Sequence, residues 1–115
     1  MLPHDQVRTR HIIDSCREIE ELLIGYERED FLEERKLQLS IVKLIEIIGE
    51  AASNMSSEFR DETPDIPWVD IIGMRNRLIH GYFDMDLEIV WTTAKTEVPE
   101  LLSQLEPILK KEENS

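Results

Sequence analysis

Apolar residues recur at three- and four-residue intervals along almost the whole chain, and no stretch alternates with the two-residue period of a strand. Ile12, Cys16, Ile19, Leu22, Leu23 and Tyr26 predict a first helix over about 5–26, with Arg8, Arg10, Asp14, Glu20 and Glu21 on its charged side. Gly25 and the cluster Glu27-Arg28-Glu29-Asp30 mark a turn, with Asp30 placed to cap the next helix. That second helix runs to about Met55 on the stripe Leu37, Ile41, Leu44, Ile45, Ile48, Ala51, Ala52 and Met55. Leu39, Val42 and Ile47 widen the stripe beyond a single core contact. Together with the small residues Gly49, Ala51 and Ala52 they predict burial on two sides, the second side open to another subunit.

Residues 53–66 read as the one real loop, polar, acidic and closed by Pro64 and Pro67. Pro67 suits the first turn of a third helix, where its missing N–H is not needed, and Gly81 is the end signal of that helix near Tyr82. Asp84 or Asp86 then caps a fourth helix carrying Leu87, Val90, Trp91, Ala94, Val98, Leu101, Leu102, Leu105, Ile108 and Leu109, which Pro99 should kink or interrupt. The expected fold is an all-α, up-and-down bundle of about four helices, with 1–115 as a single domain.

Length and composition narrow the class. A chain of 115 residues has room for one domain. The lone Cys16 cannot form an intrachain disulfide. The start, MLPHDQVRTR, has no apolar leader region, and the richest apolar stretch, 41–48, is short and interrupted by Lys43 and Glu46. These features predict a cytoplasmic globular protein with no membrane partner. The charge is harder to place: 25 acids against 13 Lys and Arg give a net −12, which repels nucleic acid at long range. Yet residues 71–83 contain no acid and hold Arg75, Arg77 and His80, while acids crowd 18–34, 58–65 and 97–113. One basic island sits on an acidic body.

On a wheel stepping ~100° per residue, Trp68, Ile71, Ile72, Ile79 and Tyr82 form one stripe, and Arg75 falls in its middle. A guanidinium keeps its proton and is costly to bury unpaired. It is therefore either paired with a carboxylate of another helix, Glu46 or Glu50, or set in a cleft that receives an anion. His80 near a helix end reads as a cap or surface residue, or as a proton-transfer group. His4 and His11 lie seven apart at a mobile terminus, and no Cys/His/carboxylate cluster has metal-ligand spacing. Ser53, Ser56 and Ser57 lack a nearby His for hydrolase chemistry, and no Gly-rich phosphate loop precedes a Lys and Ser/Thr.

The joint spacing is more specific. In GMRNRLIHGYF, Arg75, four residues, His80, one residue and Tyr82 make an R-x4-H-x-Y pattern. It resembles the signature of HEPN ribonucleases, specifically the HepT-like toxins of MNT–HEPN toxin–antitoxin modules. Ile47-Ile48-Gly49-Glu50-Ala51-Ala52, Ile66-Pro67-Trp68 and Val90-Trp91 are similar to further landmarks, in the family's order, and extend the resemblance over nearly the whole chain.

The resemblance implies a metal-independent endoribonuclease acting as a homodimer in a type VII-like system, needing no cofactor. Such cleavage uses the 2′-OH as internal nucleophile, so RNA and not DNA is the substrate, and leaves a 2′,3′-cyclic phosphate. His80 suits the proton transfer and Arg75 the charge on the non-bridging oxygens. Asn76, four residues before His80, is placed to orient the imidazole or bind a phosphate, and Arg77 to contact the RNA backbone or a partner. The resemblance also implies that a cognate MNT nucleotidyltransferase antitoxin transfers AMP onto Tyr82 and silences the enzyme. On a straight helix Arg75 and His80 diverge by ~140° and ~7.5 Å. Either the helix distorts near Gly81 or two subunits share the site. Two rival functions stay open: a catalytically silent helical adaptor, or a substrate-binding subunit for a nucleotidyltransferase.

Overall fold

A computed structural model describes residues 1–79 and 84–115. All regular structure in it is helical, in the order α1 (Pro3–Leu22), α2 (Arg28–Leu32), α3 (Arg35–Ser53), α4 (Ser57–Glu62), α5 (Trp68–Ile72), α6 (Met74–Leu78), α7 (Leu87–Thr92) and α8 (Val98–Glu113). A π-turn over Thr93–Glu97 joins α7 to α8. Among the described residues no helix is long and apolar enough to cross a membrane.

The first expected helix is present, beginning at Pro3 rather than about residue 5 and giving way to a turn after Leu22. Gly25 takes φ +82, a left-handed conformation that a Cβ disfavours, and so reverses the chain after α1. The start of α1 is tied to the rest of the fold through Asp5. Asp5 is only 1% exposed, and its carboxylate accepts from the Ser56 N–H at 2.9 Å and the Ser56 hydroxyl at 2.5 Å. This contact joins the first turn of α1 to the residue that caps α4, so α1 and α3 run antiparallel. Ion pairs Arg10–Glu113 and Arg17–Glu106 set α8 antiparallel to α1 on its other side.

Burial pushes the Asp5 carboxyl upward, but the two Ser56 hydrogen bonds, with the nearby His4 and Arg8 charges, outweigh it and hold it below the ordinary carboxylate value. A depressed carboxylate contributes stability that is present above its unfolded pKa and lost as pH falls through the folded one. Asp5→Ala should therefore cost about 1.5–3 kcal/mol at neutral pH, and the gap from the parent should close in melting curves taken at progressively more acidic pH. A gap independent of pH would show that Asp5 acts by packing alone.

The second expected helix is two. α2 ends in tight i→i−3 bonds from Glu33 to Asp30 and from Glu34 to Phe31, before α3 begins at Arg35. The Gln38 amide donates to the Phe31 carbonyl at 2.9 Å, tying the two pieces together. Asp30 works as the third residue of α2, accepting from the Glu27 N–H, and not as its cap. The expected second buried side of α3 is covered within the chain: α3 packs on α1 and also on α5 and α6. Val42 is buried there, whereas Leu39 and Ile47 stay exposed.

The expected loop at 53–66 contains α4, whose cap is the Ser56 hydroxyl accepting from the Phe59 N–H. Phe59 meets Trp68 edge-on at 5.7 Å, and the Trp68 indole donates to the Thr63 hydroxyl, which seats the start of α5. Of the two candidate caps for the fourth helix, Asp86 serves, accepting from the Ile89 N–H. The fourth helix is interrupted just before Pro99, as expected: the π-turn separates α7 from α8, and Pro99 sits in the first turn of α8.

Candidate functional site

The third helix departs most from expectation, and the departure places Arg75. At Gly73 ψ is −2°, away from the ~−42° of a regular helix, and the Asn76 N–H bonds back to the Gly73 carbonyl only three residues earlier. This rotates everything after Gly73 relative to the straight wheel. Met74 and Leu78 turn into the core, and Arg75 leaves the apolar stripe with its side chain 53% exposed.

Of the two carboxylates considered for it, Glu46 is the partner: its Oε1 lies 3.4 Å from Arg75 Nε. The contact is made through Nε, and among the described residues neither terminal nitrogen donates a hydrogen bond, which leaves both to fork onto an anion. Asn76 and Arg77 are also exposed. Arg77 donates to Glu97 at 3.2 Å and to the Asp70 carbonyl at 3.4 Å, so it braces α6 against the π-turn. The basic island is thus not isolated in space, because acids distant in sequence fold back onto both arginines.

α6 ends at Leu78, and Ile79 is extended (φ −120, ψ 120), forming an antiparallel bridge with Met85. The Asp86 N–H donates to the Leu78 carbonyl at 2.8 Å. The helix on which the straight-wheel relations of Arg75 and Asn76 to His80 are drawn thus ends at Leu78 and not near Tyr82. His80 and Tyr82, like the end signal Gly81, lie outside the described residues.

Arg75 opens on a groove of about 730 Å³ between α1 and α3. His4, Arg8 and His11 line one wall and Lys43, Glu46 and Glu50 the other. Sequence reasoning gave Arg8 and Lys43 no part in a site and weighed the two histidines only as metal ligands. The available signal was the i, i+4, i+7 register of His4, Arg8 and His11 along one face of α1. Among the described residues no cluster of three or more His, Cys, Asp or Glu is arranged to hold a metal ion. Cys16 is buried against this chemistry, its thiol pushed up to about 12 by burial and by the Glu20 and Glu106 charges.

No solved structure is a significant match to the chain. Among known proteins it is 42% identical over 102 residues to "Putative RNase TTE0752" of Caldanaerobacter subterraneus, covering 89% of this chain and 91% of that one. It is 40% identical over 82 residues to "Probable ribonuclease HepT" of Thermococcus cleftensis, covering 71% and 74%. A third relative, "Putative RNase MJ1216" of Methanocaldococcus jannaschii, is 40% identical over 93 residues and is covered to 77% on both sides. The family model described as "Ribonuclease HepT-like" matches residues 12–108, an interval that holds Arg75 and the packed helices around it, and the chain belongs to that family.

Proposed function

We propose that this chain is a metal-independent endoribonuclease toxin, acting as a homodimer and silenced when a nucleotidyltransferase antitoxin moves AMP onto Tyr82. The observation that carries the reading is the R-x4-H-x-Y spacing of Arg75, His80 and Tyr82 in a chain of the HepT-like ribonuclease family. The exposed guanidinium at the mouth of a groove supports it.

In this reading the 2′-OH of the substrate gives its proton to the His80 imidazole, and its oxygen attacks the adjacent phosphorus. The bond to the 5′ oxygen breaks, and that oxygen takes a proton from the imidazolium. A 2′,3′-cyclic phosphate and a 5′-OH result. Imidazole titrates near neutral pH and so can serve both halves. The free terminal nitrogens of Arg75 pair with the non-bridging oxygens as charge gathers there. Asn76 orients the imidazole or holds a phosphate. Arg77 reaches the RNA backbone by exchanging Glu97 for a phosphate.

The Arg75–Glu46 pair is also what a silent helical adaptor for a nucleotidyltransferase would show, and an RNA-cleavage assay in excess EDTA separates the two. Cleavage should persist under chelation and leave cyclic phosphate ends, from a species sedimenting at twice the 13.5 kDa chain mass. Activity returning only with added divalent metal would overturn the metal-independent mechanism. A fully active monomer would overturn the homodimer.

A further inference from the structure

The groove beside Arg75 holds more cationic chemistry than cleavage at one phosphate uses. Arg8 stands on the α1 wall between His4 and His11, and Lys43 stands on the α3 wall. Other α1 arginines are engaged: Arg10 with Glu113 at 3.2 Å and Arg17 with Glu106 at 2.8 Å. Arg8 and Lys43 make no ion pair among the described residues. The acids of the same groove are partly occupied, Glu46 by Arg75 and Glu50 by the Asn54 amide at 3.5 Å.

On a chain of net charge −12, two cations without an ion pair among the described residues, sharing one concavity with Arg75, run against the prevailing field. Low-dielectric walls focus such a local potential. Val7 and Ile47 supply that apolar surface, and both remain exposed in the groove, where they suit the faces of bases. A volume of about 730 Å³ accepts a short run of single strand; an A-form duplex, read across its broad shallow groove, needs a far wider surface.

We infer that the α1–α3 groove is the track for single-stranded RNA leading away from the scissile phosphate, with Arg8 and Lys43 each binding a flanking phosphate. This rests on the ribonuclease reading above. It adds α1 to the substrate-binding surface.

The test is fluorescence anisotropy of a labelled single-stranded oligouridylate with full-length His80→Ala protein, titrated over a series of salt concentrations. Arg8→Ala/Lys43→Ala added to that background should weaken binding about tenfold or more. It should also flatten the log–log salt slope by about 1.4, since each phosphate contact on a single strand contributes about 0.7. Arg8→Glu/Lys43→Glu should weaken binding further, and Lys110→Ala/Lys111→Ala on α8, outside the groove lining, should leave affinity and slope unchanged. Circular dichroism of each variant checks the fold. Unchanged affinity and slope in folded Arg8/Lys43 variants, with Arg75→Ala still weakening binding, would overturn the groove while leaving the ribonuclease reading intact. Failure of the parent protein to bind the oligonucleotide even at low salt would overturn both.

Discussion

His80→Ala is expected to slow RNA cleavage by about 10²–10⁴-fold, the usual contribution of a positioned proton-transfer group. Arg75→Ala should slow it by about 10²–10³-fold, the range for removing one donor aimed at developing charge. The two losses have different signatures. Arg75→Lys keeps a cation but not the two-pronged fork, so it should recover only part of the rate. No basic replacement at 80 restores a group that titrates near neutrality. Single-turnover cleavage of an end-labelled RNA reads both effects free of product release. Arg75 is exposed and bound to the fold by one surface ion pair, so Arg75→Ala should melt within about 1 kcal/mol of the parent. Near-parental cleavage by folded Arg75→Ala and His80→Ala proteins would overturn their catalytic roles, and no cleavage by the folded parent chain would leave the adaptor reading standing.

The second large effect concerns control. Tyr82→Phe should keep substantial cleavage and escape silencing, because a phenol with an ordinary pKa of about 10 is a poor base at neutral pH. The hydroxyl two residues from His80 is nevertheless where an added adenylate would bring an anion and bulk onto the basic site. Intact mass after co-expression with the nucleotidyltransferase should show AMP on the parent chain and none on Tyr82→Phe. Growth should then be arrested by the variant despite the partner. AMP on a serine such as Ser56 would defeat this assignment, as would loss of cleavage in folded Tyr82→Phe.

Helical periodicity made α1, α3 and α8 legible, because each carries three or more turns of apolar residues facing one core. What periodicity could not show were the short helices and the breaks. α4 is six residues long, too short for a stripe, although its Ser56 cap was in view. The end of α2 depends on Phe31, whose carbonyl takes a Gln38 side-chain amide as well as the Glu34 N–H only three residues on. Most consequential is Gly73, where one backbone dihedral redirects α6 and reverses the environment of Arg75. A helical wheel assumes that dihedral and so cannot report it.

For the site, the residue types and their spacing were legible while their partners were not. Glu46 was one of two carboxylates considered for Arg75, and only packing of α6 on α3 chooses it. Glu97 was unforeseen for Arg77, as was the convergence of Arg8 and Lys43, because both arise between elements far apart in sequence. The same blindness made 71–83 look like a bare basic island.

The Glu46 carboxylate beside Arg75 also makes the site an ion exchanger. An anion that takes the whole guanidinium, Nε included, must displace an internal counter-ion, so full occupancy is a swap and not a simple capture. An exposed pair of this kind contributes about 0.2–1 kcal/mol, which lowers the affinity for a phosphodiester by no more than about fivefold. A monovalent halide, weakly held and with no second contact to offer, loses that exchange far more often than a polyanion anchored elsewhere along the chain. The resting enzyme is thereby biased against the small anions that abound in any cell and toward ligands that arrive with many charges at once.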